Sequence, residues 1–311
     1  MDASILIVTR DRADELKETL EAMRRVAVPA GCEAELVVVD NGSSDHTQGV
    51  VKGCRLDGIC VRHVVEEKPG LSHGRNRALA ESSGEVILFT DDDVRPPEDW
   101  LVRMMDPIKE GEADGVAGGV VLAPHLLRPW MTAKHKAWLA SSEWIDGGKP
   151  VSMVGANMVF ARRVLEKVPE FDPELGAGAL GCGEEGLFAS QLLEAGFRIT
   201  ARLDVAMEHH CQESRLERGS WLAAAEKMGR SQAYRGHHWE HWGCRLGWWK
   251  RRQAQRRLAK WRAENPDKMV ADGCAEQEMD LMFDAALADQ HVLEAKRARN
   301  YARHGLVKLE G

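Results

Sequence analysis

Nothing in the 311-residue chain approaches the run of about 20 apolar residues that a bilayer-spanning helix needs, so no transmembrane anchor is expected. Met1 is followed by Asp2 and a short apolar run, without the basic start and longer apolar region of a secretory leader. No signal peptide is expected. The seven cysteines are odd in number, scattered and without a C-x-x-C pair. That excludes a zinc ribbon, argues against a disulfide frame and fits reduced thiols in a cytosol. Internal repeats and low-complexity linkers are missing too. Neither sign of charge dominates: 42 Lys and Arg stand against 49 Asp and Glu, a formal net charge of -7. That balance points to neither nucleic acid nor a membrane. The expectation is a cytoplasmic protein with no nucleic-acid partner.

What is present is material for a core. The chain is 44% hydrophobic and long enough for one large α/β domain with an appendage, or for two small domains. Its first half alternates strand-like and helix-like patterns. Ser4 to Thr9 is a short β-rich run, and Ala13 to Arg25 places Leu16, Leu20 and Met23 at helical spacing. Glu35 to Asp40 is a continuous apolar strand, as expected where both sheet faces are covered. Asn41-Gly-Ser-Ser-Asp45 is turn chemistry, with Asp45 as the N-cap of a following helix. Cys60 to Val65 reads as a strand, and Ser72 can cap a helix running to about Ser82. Glu85 to Thr90 is a strand ending in Asp91-Asp92-Asp93, followed by a helix over Glu98 to Lys109 and a strand over Gly115 to Leu122.

The pattern weakens over Pro124 to Gly148, returns as a strand over Val154 to Ala161 and a helix over Glu184 to Glu194, and closes with a strand over Arg198 to Met207. Beyond Trp221 the chain reads as helix to Arg303, broken near Gly236, Pro266 and Gly273. Such β-α-β alternation predicts an α/β fold with a doubly wound, mostly parallel sheet. A catalytic domain is expected over 1–220 and a helical extension over 221–311. Ligands of such sheets bind beyond the carboxyl ends of the strands, where Asp40 and the Asp91–Asp93 run both fall.

Three adjacent carboxylates at a strand end repel one another, and a divalent cation offsets that cost. Hard oxygen ligands suit Mg²⁺ or Mn²⁺. The plainer alternative is an acidic cap for the helix near Pro96-Pro97. Asp40 can accept an N–H from a nucleobase, or it can simply form the turn before Asn41-Gly42. Glu184-Glu185, in the glycine-rich segment Gly181-Cys-Gly-Glu-Glu-Gly-Leu, is either favoured by the helix dipole or supplies a general base. A base working on a sugar hydroxyl would benefit from a raised pKa, which a like-charged neighbour can supply. His209-His210 at a strand end can offer a metal ligand, and Arg215 soon after can hold phosphate.

At these residues the sequence resembles the family 2 glycosyltransferases, over roughly residues 3–216. The opening Ser-Ile-Leu-Ile-Val8-Thr9-Arg10-Asp11-Arg is similar to the family's nucleotide-binding start, with Val8 in place of the usual Pro and Asp11 in place of Asn. Val-Val-Val-Asp40-Asn-Gly-Ser-Ser-Asp45 resembles its base-binding motif, and Gly70-Leu-Ser-His-Gly74-Arg75-Asn the segment that reaches the donor. Phe89-Thr-Asp91-Asp92-Asp93-Val matches its DxD element. Gly155-Ala156-Asn157-Met resembles the strand lining the acceptor side. Gly183-Glu184-Glu185 fills the slot of its Glu-Asp motif, with one extra methylene at Glu185. His209 fits the family's late metal-ligand histidine, and Arg215 its phosphate-contacting arginine.

The resemblance implies a GT-A fold and a single in-line displacement that inverts the anomeric carbon. Thr9, Arg10, Asp11, Asp40, Gly70, Arg75, Asp91, Asp92 and Arg215 would form the nucleotide-sugar site, for a UDP, dTDP or GDP donor. Within it Asp40 would hold the base, Asp91 the ribose, and Arg75 and Arg215 phosphate. Asp93 and His209 would bind Mn²⁺ or Mg²⁺, and Glu185, beside Glu184, would take the proton from the acceptor hydroxyl. Many members act on lipid-linked or cell-surface glycans.

Three C-terminal features are separate from that resemblance. His237-His-Trp-Glu-His241-Trp lacks a second ligand group at fixed distance, so an exposed aromatic helix is expected instead of a metal cluster. Arg245 to Arg262 carries eight Lys or Arg and no acid, with Trp248, Trp249, Leu258 and Trp261 interleaved. It fits either a solvated helix packed through its tryptophans or a peripheral contact with anionic lipid at the inner face of a membrane. Residues 274–304 form a helical stretch that can serve a homodimer interface, with Gly305 as its stop.

Trp130, Trp138 and Trp144 suit stacking on acceptor rings and core packing equally. Rival functions are a haloacid dehalogenase-type phosphatase, whose D-x-D motif is expected near the N-terminus with Thr or Val where Arg95 stands, and a nucleotide-sugar-binding module without catalysis. A sugar nucleotidyltransferase would need a glycine-rich loop where Val8-Thr-Arg-Asp has none.

Overall fold

The computed structural model describes residues 1–150, 152–244, 247–269 and 272–309. Arg245, where the basic stretch begins, lies outside the described residues. Eight strands form one sheet: β1 (Ala3–Thr9), β2 (Ala34–Asp40), β3 (Ile59–Val65), β4 (Val86–Thr90), β5 (Val94–Arg95), β6 (Gly115–Leu122), β7 (Met158–Ala161) and β8 (Ile199–His209). Their order is β3-β2-β1-β4-β7-β6-β8-β5. The pairings of β1 with β2 and β4, of β2 with β3 and of β6 with β8 are parallel, while β7 and β5 run against their neighbours.

The central strands are buried on both faces, as their unbroken apolar runs require. Helices α1 (Ala13–Met23), α2 (Thr47–Gly53), α3 (Leu71–Glu81) and α4 (Trp100–Lys109) connect the first strands, and the short α5 (Ala133–Trp138) follows β6. Next come α6 (Glu184–Glu194) and three longer helices, α7 (Arg218–His238), α8 (Gly247–Glu264) and α9 (Glu276–Glu294).

Several local expectations change in detail. Val154 to Ala161 is not one strand: Gly155–Asn157 is a single 3-10 turn, and only Met158–Ala161 pairs. Ser72 does not cap α3. The helix is entered through Gly70 at φ 129°, where a side chain is disfavoured, and the Ser72 hydroxyl donates to the Leu175 carbonyl at 2.8 Å. Asp45 acts from one residue further out than an N-cap, and on two helices at once. It accepts from the Thr47 amide at the start of α2 and from the Ala13 amide at the start of α1, each at 3.0 Å.

The helix expected over 274–304 ends at Glu294. There the buried carboxylate accepts from His238 at 3.0 Å and Arg297 at 2.8 Å, and the chain turns back as an irregular strap over α6 and α7. That strap overturns the expectation of an exposed aromatic helix at 237–242. His237 and His238 are buried, and the indole of Trp239 donates to the Gly305 carbonyl. Helix α9 lies between α7 and α8 and buries Met279, Leu281, Ala285 and Ala286 there. Trp130 packs edge-on against Trp221 and Trp138 joins the same cluster, whereas Trp144 stays exposed.

Candidate active site

The parallel register brings the carboxyl ends of β1, β2, β4 and β8 to one rim. Thr9 lies opposite Asp40, Leu122 opposite His209, and Asp91 follows the end of β4. The reversed strand β7 begins at this same rim, so the 155–157 turn joins it: Thr90 donates its hydroxyl to the Ala156 carbonyl at 2.9 Å. The end of β4 and the 155–157 turn therefore meet although some 60 residues separate them in sequence.

Asp91, Asp93 and His209 offer ligand atoms that all lie within 4.8 Å of one another. The Nδ1 of His209 donates to the Leu139 carbonyl at 2.8 Å, which points Nε2 at Asp93 Oδ1, 3.1 Å away, where a proton or a metal ion can join the two. Such a backbone bond fixes ring and tautomer for metal binding. Burial works against both charged forms, yet the contact between them prevails. His209 is raised above its ordinary 6.5, and Asp93, gripped also by Arg12 Nη2 at 2.6 Å, is held well below the usual carboxylate range. Burial and the charge of Asp93 push Asp91 up. Two hard oxygens and one imidazole fit Mn²⁺ or Mg²⁺.

Asp92 points elsewhere. It accepts from the Thr9 hydroxyl at 2.7 Å and faces Arg12 at 3.3 Å, and burial raises it to about 7. It ties β4 to β1 and α1, turned away from the cluster.

Asp40 is buried, accepts from the Ser43 amide at 2.7 Å and lies 3.3 Å from His63 Nε2. Asp11, at φ 51°, accepts from the amide and hydroxyl of Ser44, while Arg10 beside it is exposed. Gly70 donates its amide to Asn41 Oδ1, and Asn41 Nδ2 donates to the Glu66 and Lys68 carbonyls. Asn41 thus shapes the whole 66–70 loop.

Glu184 and Glu185 open α6 after Gly183, at φ 92°. Arg75, buried between Phe89 and Phe171, donates from Nη1 to Glu184 Oε1 at 2.8 Å and lies 3.8 Å from Glu185 Oε2. Burial, with the charge of Glu185 added, pushes Glu184 up to about 8 against the pull of Arg75. Glu184 is buried, whereas Glu185 is partly exposed. A Cβ at Gly155 would overlap Arg75 Nη2, so this glycine is the space Arg75 occupies.

Asn157, expected on the acceptor side, faces inward. It accepts from the Trp100 indole and donates to the Gly119 and Val205 carbonyls, all at 2.9 Å, which uses its amide fully. Arg215 stands exposed on the turn after β8, close enough to His209 for its charge to oppose protonation there.

Sequence inspection passed over Arg12, Asn41 and His63. Arg12 and Asn41 stand inside recognised motifs, but their partners lie 81 and about 25 residues away. His63 carries a weaker signal, as a polar residue within an apolar strand next to β2.

The mostly parallel sheet, with a carboxylate run at one strand end, a histidine within ligand distance of it and an acid pair at a helix start, has the architecture of the GT-A glycosyltransferases. The sequence profile of glycosyl transferase family 2 matches residues 4–168, and the chain belongs to that family. Glu184, Glu185, His209 and Arg215 lie beyond the matched residues. Glycosyltransferase AglE of Haloferax volcanii is 29% identical over 119 residues, 38% of each chain. A GalNAc(5)-diNAcBac-PP-undecaprenol beta-1,3-glucosyltransferase of Campylobacter jejuni is 27% identical over 112 residues, 35% of each chain. The chain thus spans well under half the length of these relatives. In fold it is similar to the mannosyltransferase PcManGT of Pyrobaculum calidifontis, solved with GDP-Man and Mn²⁺. That likeness has a TM-score of 0.55 at 19% identity and covers 94% of this chain and 72% of that one. The family match leaves the phosphatase reading without support.

Proposed function

We propose that the protein transfers a sugar from a nucleoside-diphosphate sugar to an acceptor hydroxyl, with inversion at the anomeric carbon. One observation carries this reading: the Asp91–Asp93–His209 cluster and the Glu184–Glu185 pair share one rim, with Arg75 between them. In this reading Asp40 accepts an N–H of the base, and Asp91, Asp93 and His209 hold the divalent ion. When bound, that ion neutralises charge on a departing diphosphate, worth several kcal/mol.

Glu185, the more exposed of the two acids, takes the proton of the acceptor hydroxyl. Arg75 is assigned to the acid pair in preference to phosphate, because its Nη1 is already given to Glu184. Arg215 is exposed and suits the diphosphate better. The manganese and GDP-Man in the PcManGT structure support a metal-assisted donor site, and the name of the Campylobacter relative supports a lipid-linked or glycan acceptor.

The test is calorimetry with UDP, dTDP and GDP, each with Mn²⁺ and with chelator, on wild type and Asp93→Ala. Micromolar, metal-dependent binding of one diphosphate that Asp93→Ala abolishes is expected. Glu185→Gln should retain that binding and lose turnover. Failure of every diphosphate to bind in the presence of metal overturns the donor-site reading, and a fully active Glu185→Gln overturns the base.

A further inference from the structure

Helix α8 separates six of its seven basic residues into two sets, the seventh, Lys250, standing at its start near His291 of α9. Ala254, Leu258 and Trp261 are buried against Leu281 and Ala285 of α9, which fixes the inward side of the helix. Beside this seam Arg251 pairs with Asp289 at 2.7 Å, Arg257 with Asp284 at 3.4 Å and Arg262 with Glu278 at 2.7 Å. These three are neutralised within the fold.

At 100° per residue the opposite face holds Trp248, Arg252, Arg256 and Lys260, a stripe at spacing of four, with Trp249 alongside. All five are exposed, Trp248 at 65% and Trp249 at 50%. Among the described residues neither Arg252 nor Arg256 pairs with an acid, and Lys260 meets only Glu264, at 3.7 Å on the same helix. Packing accounts for Trp261 alone of the three tryptophans. The other two sit at one end of a cationic stripe on a protein of net charge -7.

We infer that the outward face of α8 docks the protein on an anionic lipid surface. An indole is apolar in body with one polar N–H, and it settles at the boundary between headgroups and acyl chains. Arg and Lys lay their stems along that boundary and keep their charges among lipid phosphates. Both exposed tryptophans sit together at one end of a single convex line and do not alternate with the cations along a groove that could seat successive unstacked bases, which favours a lipid surface over RNA.

The experiment is sedimentation of the full chain with sucrose-loaded vesicles, either phosphatidylcholine alone or phosphatidylcholine with a third phosphatidylglycerol. Each cation contributes about fivefold, so the three outward cations predict roughly 100-fold tighter binding to the anionic vesicles, lost at high salt. Arg252→Ala with Arg256→Ala should lower that binding about 25-fold. Trp248→Ala with Trp249→Ala should lower it as well. All four side chains are solvent-exposed, so near-native unfolding midpoints in both variants are expected to certify the fold. Equal binding to the two vesicle types, or variants that bind as wild type does, overturns the inference. So does tighter binding to a tRNA probe than to anionic vesicles.

Discussion

Arg75 and Glu184 form a buried ion pair, 2.8 Å from Nη1 to Oε1, between helices that begin more than 100 residues apart. It is the point at which α3 and α6 are locked together under the cleft, and its two members respond differently to being disturbed.

Glu184 sets a pH dependence of stability. Its pKa rises from 4.5 to about 8 on folding, chiefly through burial. An acid raised in this way contributes stability that is full below 4.5 and is lost as pH rises through about 8, by at most about 1.4 kcal/mol per pH unit. Urea unfolding of wild type across that window should show the decline, and Glu184→Gln should flatten it. Parallel profiles for the two proteins would falsify the assignment.

Removing Arg75 leaves Glu184 buried without its cation. Arg75→Met should cost about 1–3 kcal/mol in unfolding free energy at neutral pH, where Glu184 is mostly protonated, and more above about 8, where a buried carboxylate would stand without its cation. Gly155→Ala intrudes on the same guanidinium and should cost about 1–3 kcal/mol as an overpacking change. If Gly155→Ala leaves both stability and turnover at the wild-type level, the close fit of Arg75 against Gly155 is not important.

The cluster at His209 should bind Mn²⁺ in competition with protons. Contact with Asp93 raises the His209 pKa above 6.5, and a metal needs its Nε2 bare. Manganese affinity, followed by paramagnetic resonance without nucleotide, should therefore weaken as pH falls, starting above 6.5. His209→Ala should weaken it by at least about tenfold. Affinity that is level across this range argues against His209 as a ligand.

The strap after α9 should govern turnover from a distance. Asp172 is buried and accepts from Tyr234 at 2.6 Å, Tyr301 at 2.8 Å and Lys308 at 2.6 Å, while Glu174 is held by Arg297 and Asn300. These two acids open the loop that ends at Glu184. Tyr301→Phe with Lys308→Met should cost about 1–3 kcal/mol and lower kcat several-fold, with diphosphate affinity unchanged. An equal loss in both readouts would mean general unfolding instead of a misplaced loop.

Much of the rim was legible because its signals are local. The run 36–39 is apolar without a break and is followed directly by Asp40. The acids at 91–93 directly follow another such run, and the helix at 184–194 was bounded by its own glycines. What escaped depends on partners far away in sequence. Nothing near residue 158 announces a strand that runs against its neighbours, and nothing near Asn157 says that Trp100 will take its amide oxygen. The 237–242 segment looks like surface until the strap covers it. The tryptophans of α8 differ from one another only through which of them face α9.

The strap also bears on the order in which the protein becomes competent during its synthesis. Asp172 and Glu174 leave the ribosome well before Lys308 and Arg297, the cations that meet them. A nascent chain carrying every residue of the rim still holds its glycine-rich loop by one side only. For the same reason residues 1–220, though they contain all the proposed chemistry, are expected to make a poor excised domain. Expression of that fragment would expose the apolar bed on which α7 and the strap rest.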